Sequence, residues 1–279
     1  MKMTVLVDNN TLIDHYLLGE PGLSLLFEDA GRKILFDAGY SGAFLENARR
    51  LGISLRDLDE VVLSHGHLDH VWGLNALTMH FAELACEGEV LKRPRLTAHP
   101  FIFDPKTTHD VPQIGMHLSR GYLEAFFDVD LTDKPRALTE NLHYLGEIPR
   151  RFEFEPFSHR AERHGPDGPE PDMLMDDTAL CARTEKGLAV FCGCAHSGVC
   201  NTVEHAREVM GEERVNLVFG GFHLQKASPA RLEAVGDYLG GLELEALYPC
   251  HCVDLAAKIA LAKTCPVKEA GSGMALTLP

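Results

Sequence analysis

A cluster of histidine and aspartate residues directly after an apolar segment is the feature that most constrains this chain. The apolar segment, residues 60–64, is typical of a buried strand, and the chain then reads His65-Gly66-His67-Leu68-Asp69-His70. Residues two apart project to the same side of an extended loop, so His65 and His67 are placed to bind one ion. We expect Asp69 and His70 to turn towards a second ion. Imidazole and carboxylate ligands suit Zn²⁺, Mn²⁺ or Fe.

Composition and charge narrow the class of protein. The chain has 279 residues, 45% of them apolar, and a formal net charge of −15. A chain this acidic repels phosphate backbones, so we expect a small-molecule substrate and no nucleic-acid partner. No segment approaches the roughly 20 apolar residues of a membrane span. The first eight residues indicate a strand rather than a signal peptide, so we expect a cytoplasmic protein that does not bind membranes.

The eight cysteines are not arranged like a disulfide framework. Cys192 and Cys194, and likewise Cys250 and Cys252, are separated by a single residue, which is an awkward spacing for a disulfide between them. The chain is also long and has no secretory signal. We therefore interpret these cysteines as free thiols or metal ligands.

The first third of the chain predicts strands over residues 5–7, 23–28 and 33–37, with a hairpin turn at 29–32 and a helix over 44–51. The last third predicts strands over 188–191, 215–219 and 246–248, each followed by a histidine in its loop. Helices are expected after the first two of these strands, one with a capping box of Asn201 and Glu204 and one that begins at Ser228-Pro229.

The middle of the chain, about residues 78–176, gives weaker patterns. We expect a strand end at 96–100, a helix over 121–127, a strand over 152–157 and a Gly/Pro-rich surface loop over 163–171. No composition shift marks a boundary between domains. We therefore expect a single domain over residues 1–279, in which the middle segment shapes the pocket.

The motif His65-x-His67-x-Asp69-His70 resembles the signature of the metallo-β-lactamase fold superfamily. Further segments resemble one branch of it, the metal-dependent hydrolases similar to dihydropterin–ribofuranosylaminobenzene-phosphate synthase-like proteins. These segments are Gly22-Leu23-Ser24-Leu25-Leu26, Leu35-Phe36-Asp37-Ala38-Gly39, Gly146-Glu147-Ile148-Pro149-Arg150, Asp176-Asp177-Thr178-Ala179-Leu180, Gly193-Cys194-Ala195-His196-Ser197-Gly198, Gly220-Gly221-Phe222-His223-Leu224 and Pro249-Cys250-His251-Cys252.

This resemblance implies an α/β (α+β) fold, the αββα sandwich of the metallo-β-lactamase type, with one or two divalent metal ions. Zn²⁺ is the first choice, with Mn²⁺ or Fe as alternatives. His65 and His67 resemble ligands of the first metal, and His196 is taken as its third ligand. Asp69 and His70 resemble ligands of the second metal, and His251 resembles its last ligand.

The sequence departs from the superfamily pattern at the bridging position. Gly193-Cys194 stands where an aspartate is usual, so Cys194, Asp177 or water alone remains open as the bridge. Cys250 and Cys252 flank His251 and are candidate metal or supporting residues. Asp37 is expected to support the loop that carries His65, His67, Asp69 and His70 through hydrogen bonds.

The activity expected from the resemblance is metal-dependent hydrolysis by metal-activated hydroxide. Asp69 orients the hydroxide, and His223 is either a ligand, a donor to the substrate or a supporting residue. Phosphoesters or similar anionic small molecules are the first substrate class, and lactones and thioesters are the second. A di-iron redox enzyme, or a non-catalytic metal- or ligand-binding protein of the same fold, is the alternative. The sequence does not indicate an oligomeric state.

Overall fold

The structure is a computed structural model that describes residues 1–156 and 161–279. The strands of this part of the chain are β1 (Lys2–Val7), β2 (Ser24–Asp29), β3 (Arg32–Phe36), β4 (Glu60–Val62), β5 (Arg95–Ala98), β6 (Lys106–Thr108), β7 (Asp128–Leu131), β8 (Arg136–Ala137), β9 (Leu142–Tyr144), β10 (Ala161–Gly165), β11 (Gly168–Pro171), β12 (Ala179–Thr184), β13 (Gly187–Cys192), β14 (Val215–Gly220), β15 (Ala246–Pro249) and β16 (Ala275–Thr277). Its α-helices are α1 (Ala43–Arg50), α2 (Leu68–Val71), α3 (Leu74–Cys86), α4 (Arg120–Leu123), α5 (Val199–Met210), α6 (Pro229–Gly240) and α7 (Leu255–Leu261).

The described residues form two compact units. The first unit contains residues 1–133, 161–176 and 271–278, and the second contains residues 134–156, 177–270 and 279. The middle segment at 78–176 contributes to both, and its residues 157–160 lie outside the described part of the chain. One domain with a pocket-shaping middle segment stays a prediction.

The first unit is built on a seven-stranded sheet with the order β16-β1-β2-β3-β4-β5-β7. The strands from β16 to β3 pair antiparallel, and those from β3 to β7 pair parallel. The apolar residues of α1 and α3, among them Phe44, Leu77 and Phe81, share one buried cluster with strand residues such as Leu35 and Val61. This burial explains why the predicted strands and helix of the first third form where the sequence places them.

The second unit is built on a six-stranded sheet with the order β15-β14-β13-β12-β9-β8. The neighbours β13, β14 and β15 are parallel, whereas β12 pairs antiparallel with β13 and with β9. Val203 and Ala206 of α5 and Val235 and Leu239 of α6 belong to the same buried cluster as Val190 of β13. The carboxyl ends of three parallel strands therefore meet at one edge of this sheet, which is where α/β proteins build sites.

Three predictions for individual elements are wrong. Residues 163–171 are not a surface loop, because β10 and β11 pair as an antiparallel hairpin there. The helix predicted over 121–127 is only the single turn of α4, which ends at Leu123. The chain continues into β7, which pairs with β5. The strand predicted over 152–157 is absent over 152–156, and residue 157 lies outside the described residues.

The capping box predicted for Asn201 and Glu204 is also wrong. Helix α5 begins three residues earlier than that prediction requires, at Val199, and Asn201 lies inside the helix. Its side-chain oxygen accepts hydrogen bonds from the backbone N–H groups of Arg151 and Phe152, at 2.7 and 3.2 Å. The first turn of the helix is capped instead by the Glu155 carboxylate, which accepts from the N–H groups of Cys200 and Asn201 at 2.9 Å each.

Candidate functional site

The histidine-rich segment, residues 64–70 and hereafter the ligand loop, begins where β4 ends in the parallel part of the first unit's sheet. It is anchored to Asp37, which follows the neighbouring strand β3. Asp37 Oδ1 accepts a hydrogen bond from Ser64 N at 2.7 Å, and Asp37 Oδ2 accepts one from Ser64 Oγ at 2.6 Å. Asp37 is in the left-handed region with φ 59°, a conformation that asparagine and aspartate tolerate better than most residues.

His65 and His67 lie side by side at the start of the loop. His65 Nε2 is 3.1 Å from His67 Nδ1, and the two rings meet edge to face with centroids 4.6 Å apart. Burial, together with the positive charge of Lys106, lowers the pKa of His67 to about 3. His67 is therefore neutral at physiological pH, which is the form that binds metal.

His70 is oriented by the same carboxylate that anchors the loop. Its Nδ1 atom lies 2.7 Å from Asp37 Oδ2, and both side chains are completely buried. Asp69 lies beside it in the short helix α2, with Oδ2 3.9 Å from His70 Nε2. A carboxylate on one ring nitrogen fixes the tautomer of an imidazole and leaves the other nitrogen for a ligand, as is common in metal sites.

A buried lysine with two carboxylate partners lies next to the ligand loop and was not predicted from the sequence. Lys106 Nζ lies 2.7 and 2.6 Å from the two carboxylate oxygens of Asp176 and 3.3 Å from Asp172 Oδ2, and all three side chains are almost fully buried. Asp176 Oδ2 also accepts a hydrogen bond from Gly66 N at 2.8 Å. Burial acts to raise the pKa of Asp176, but the Lys106 ammonium and the Gly66 N–H group hold it below its ordinary value.

The remaining candidate ligands lie in the loops that follow β13, β14 and β15 in the second unit. Each of these loops holds a non-glycine residue in the left-handed region within three residues of the strand end, namely Ala195 at φ 46°, His223 at φ 46° and His251 at φ 51°, and the loop after β14 also holds Lys226 at φ 58°. Such residues cost on the order of 1–3 kcal/mol each and concentrate at functional sites. Three of them at one sheet edge make this edge a candidate functional site.

These loops bring cysteine and histidine side chains together. His251 Nε2 is 3.1 Å from Cys194 Sγ, and His223 N donates a hydrogen bond to Cys252 Sγ at 3.2 Å. The rings of His196 and His223 are 4.3 Å apart. Although burial opposes it, hydrogen bonding from Cys194 and the nearby imidazoles of His251 and His223 lower the pKa of Cys252 well below its ordinary value.

Two carboxylates support the loop after β13. Asp177 Oδ2 accepts a hydrogen bond from Ser197 N at 2.7 Å. Glu155, the cap of α5, approaches Gly198 so closely that a Cβ atom there would lie 2.1 Å from Glu155 Oε2. The sequence indicates Asp177 as a possible bridge but gives no local signal for Glu155, because its partners lie more than 40 residues away along the chain.

The structure thus places the predicted site residues in two groups. The first unit brings together Asp37, His65, His67, Asp69 and His70. The second unit brings together Cys194, His196, His223, His251 and Cys252, while Cys250 is fully buried. The metal assigned to each ligand, and the roles of Asp177, Cys194, Cys250 and Cys252 at that metal, stay predictions.

The arrangement of motifs, strands and ligand residues matches a known family. The model of the metallo-beta-lactamase superfamily matches residues 17–202, so the chain belongs to this superfamily. A crystal structure of a metal-dependent hydrolase of the beta-lactamase superfamily is similar over 100% of this chain and 99% of its own, with 26% identity and a TM-score of 0.84. The predicted fold class, a mixed α/β fold of the metallo-β-lactamase type, is confirmed.

Two relatives from Methanocaldococcus jannaschii are similar to the chain in sequence. One, an uncharacterized protein, is 29% identical over 91% of both chains. The other, a 7,8-dihydropterin-6-methyl-4-(beta-D-ribofuranosyl)-aminobenzene-5'-phosphate synthase, is 29% identical over 85% of this chain and 82% of its own. The resemblance to that branch, stated from the motifs, is confirmed.

No helix within residues 1–156 and 161–279 combines the length and the apolar character needed to cross a membrane. The superfamily typically binds divalent metals, and most of its members are metal-dependent hydrolases.

Proposed function

We propose that this protein is a metal-dependent hydrolase that acts on a phosphoester or a similar anionic small molecule. The observation that carries the proposal is the pairing of buried His70 with Asp37, 2.7 Å apart, beside the neutral His67. A histidine held by a carboxylate in this way is prepared to bind a cation through its other ring nitrogen.

The residues present fit a divalent transition metal. The donors are imidazole nitrogens of His65, His67 and His70 with the carboxylate of Asp69, a set that suits zinc better than magnesium or calcium. His196 and His251 are proposed to complete the ligand set, as the resemblance implies. When bound, the ion supplies a Lewis acid and lowers the pKa of water.

The chain's own groups supply the rest of the reaction. Asp69 is proposed to orient the attacking water and to accept its proton, because its carboxylate is partly exposed and lies on the turn of α2 that presents His70. His223, an exposed histidine held by its left-handed backbone, is proposed to donate a hydrogen bond to the oxygen that gains negative charge.

The substrate class is supported by charge and by similarity. A bound cation creates a positive local field in a chain of net charge −15, so an anionic group is attracted to the site and not to the rest of the surface. The name of the synthase relative contains a dihydropterin, a ribofuranosyl-aminobenzene and a 5'-phosphate. A phosphorylated small molecule with a planar ring is therefore the first substrate to test.

The test is hydrolysis by metal-loaded protein. Protein reconstituted separately with Zn²⁺, Mn²⁺ and Fe²⁺ is assayed on a chromogenic phosphodiester, a lactone and a thioester. We expect phosphodiester cleavage that falls about 100-fold or more in Asp69→Asn, in line with the loss of a general base. His67→Ala is expected to lose both metal and activity.

His109→Ala is the matched control, since this histidine belongs to the same unit and its side chain is 98% exposed. It is expected to behave like wild type. Metal-loaded protein that cleaves none of the three substrates would contradict hydrolysis and favour a binding protein. Cleavage that survives in His67→Ala would contradict the proposed ligand set.

A further inference from the structure

The strongest unassigned feature lies wholly within the second unit. One ligand atom each of Cys194, His223 and Cys252 lies within 4.8 Å of the other two, and we call these three residues the Cys–His cluster. They come from the three loops that follow β13, β14 and β15, so the folding of the sheet itself assembles the cluster.

We propose that the Cys–His cluster binds a soft divalent transition metal through two thiolates and one imidazole. A tetrahedral zinc ion with bonds of about 2.0–2.3 Å needs its ligand atoms roughly 3.3–3.8 Å apart, so modest side-chain rotation closes the cluster around it. Two sulfur ligands with one nitrogen select zinc, or cobalt as its probe, over magnesium, calcium or manganese.

The backbone around the cluster is built to bring the sulfur atoms close. A Cβ atom on Gly221 would lie 2.4 Å from the carbonyl oxygen of Gly193 and 2.7 Å from Cys252 Sγ. The absence of a side chain there lets the loop after β14 approach the other two, and Gly221 N donates to Gly193 O at 3.1 Å. Only glycine permits this approach without displacing Cys252.

The sulfur atoms are also oriented by polar neighbours. The His223 N–H group donates to Cys252 Sγ at 3.2 Å, and His251 Nε2 lies 3.1 Å from Cys194 Sγ. A backbone N–H group directed at sulfur, as from His223 to Cys252, is a usual support of a metal thiolate. Four other buried cysteines of this unit differ, because they belong to its apolar core cluster: Cys181, Cys192, Cys200 and Cys265.

This inference rests on the proposed function and deepens it, since it gives the metal chemistry sulfur ligands. One ring nitrogen of His223 then binds the metal, and the other keeps its N–H group for the substrate oxygen. The sequence leaves four residues as possible metal or supporting residues, namely Asp177, Cys194, Cys250 and Cys252. The cluster assigns Cys194 and Cys252 as ligands. Its test reads metal–sulfur bonding directly and does not depend on hydrolysis.

The first measurement is the absorption spectrum of Co²⁺-loaded protein. Thiolate ligands give an intense sulfur-to-cobalt charge-transfer band in the near ultraviolet, which imidazole and carboxylate ligands do not give. We expect the band in wild type and its loss in Cys194→Ser and Cys252→Ser. Cys265→Ser is the matched control, a buried cysteine of the same unit outside the cluster, and it is expected to keep the band.

The second measurement uses the wild-type chain alone, so it remains decisive if a serine variant fails to fold. Alkylation of Cys252 by iodoacetamide is followed by mass spectrometry with and without Zn²⁺. A metal-bound sulfur is a poor nucleophile, so we expect Zn²⁺ to slow alkylation of Cys252 about tenfold or more. Cys86, which is exposed in the first unit, is the internal control and is expected to react equally in both samples.

The outcomes separate this inference from the proposed function. Metal-loaded protein that hydrolyses phosphodiesters but shows no charge-transfer band and no protection of Cys252 overturns the cluster as a metal site and leaves the hydrolase proposal standing. A band and protection in protein that cleaves nothing support the cluster and contradict the hydrolase. Protein that binds no metal at all overturns both.

Discussion

Asp37 Oδ2 lies 2.7 Å from His70 Nδ1, and neither side chain is exposed to solvent. The same carboxylate group accepts hydrogen bonds from both the backbone and the hydroxyl group of Ser64. One aspartate at the end of β3 therefore sets both the path of the ligand loop and the tautomer of its last histidine.

Replacing this aspartate tests whether the tautomer matters for metal. In Asp37→Asn the amide N–H group faces His70 Nδ1, which favours the tautomer with its proton on Nε2, the proposed ligand atom. We expect metal affinity to fall about 10–100-fold, measured by competition with a chelator. Asp57→Asn is the control, because Asp57 is an exposed aspartate of the same unit that pairs with Lys33. Equal affinities in the two variants would contradict the role given to Asp37.

Removing the buried ammonium group of Lys106 tests how much it stabilises Asp176, the carboxylate that accepts the hydrogen bond from Gly66 N. Lys106→Met leaves the carboxylates of Asp172 and Asp176 buried without their cation, so we expect a loss of about 3–5 kcal/mol in the free energy of unfolding. Urea denaturation measures this loss. The control is Lys186→Met, which breaks an exposed pair with Glu245 and is expected to cost less than about 1 kcal/mol.

A second variant separates charge from packing at this cluster. Adding Asp176→Asn to Lys106→Met removes one of the two stranded charges. We expect the double variant to recover part of the lost stability, and no recovery would argue that Lys106 acts through packing of its aliphatic chain.

The cap of α5 predicts a pH dependence of stability. Burial raises the pKa of Glu155 above its ordinary value despite the N–H groups of Cys200 and Asn201. The native state therefore binds the proton more tightly than the unfolded state. The stabilisation linked to this proton is fully present below the ordinary carboxyl pKa and is lost as the pH rises through the raised pKa.

Glu155→Gln removes this titration. The difference in unfolding free energy, wild type minus Glu155→Gln, is expected to be most favourable to wild type at pH values below the ordinary carboxyl pKa. It is expected to decrease as the pH rises through the raised pKa of Glu155. Urea titrations at a series of pH values measure it, with Glu153→Gln as the control on a neighbouring, exposed carboxylate. A difference that increases with pH would show that the native pKa is lowered instead.

A glycine next to the ligand loop predicts a steric effect. A Cβ atom on Gly73 would lie 1.9 Å from the carbonyl oxygen of Ala38, although the backbone of Gly73 is in an ordinary helical conformation. We expect Gly73→Ala to destabilise the protein by about 1–3 kcal/mol or more through overpacking. Gly121→Ala is the control, since nothing lies within 4 Å of its added Cβ. Thermal unfolding that is unchanged in Gly73→Ala would contradict the packing of this turn.

Local sequence signals predict much of this fold. Each of the strands β1 to β4 and β13 to β15 contains a run of two or more buried apolar residues, and Ser228 caps α6 through its side chain, as the Ser-Pro pair indicates. The ligand loop was predictable because its spacing is local. These elements need no distant partner to be recognised.

Elements that depend on distant partners were not predictable. Strand β7 contains Asp128 and Asp130 and is only half buried, so its apolar pattern is weak and its pairing with β5 decides its conformation. Lys106 was missed because lysine is rarely buried, and its carboxylate partners lie 66 and 70 positions further along the chain.

The hydrogen bond from Gly66 N to Asp176 spans 110 positions of sequence, and it has a consequence for biosynthesis. During translation the ligand loop lacks this support until residue 176 has left the ribosome, and β1 lacks its partner β16 until residues 275–277 follow. The long-range closure of this part of the fold comes late, as expected for contacts between distant segments. A ribosome-bound nascent chain that ends before residue 176 is therefore expected to leave His65 and His67 open to protease and to any stray metal ion in solution.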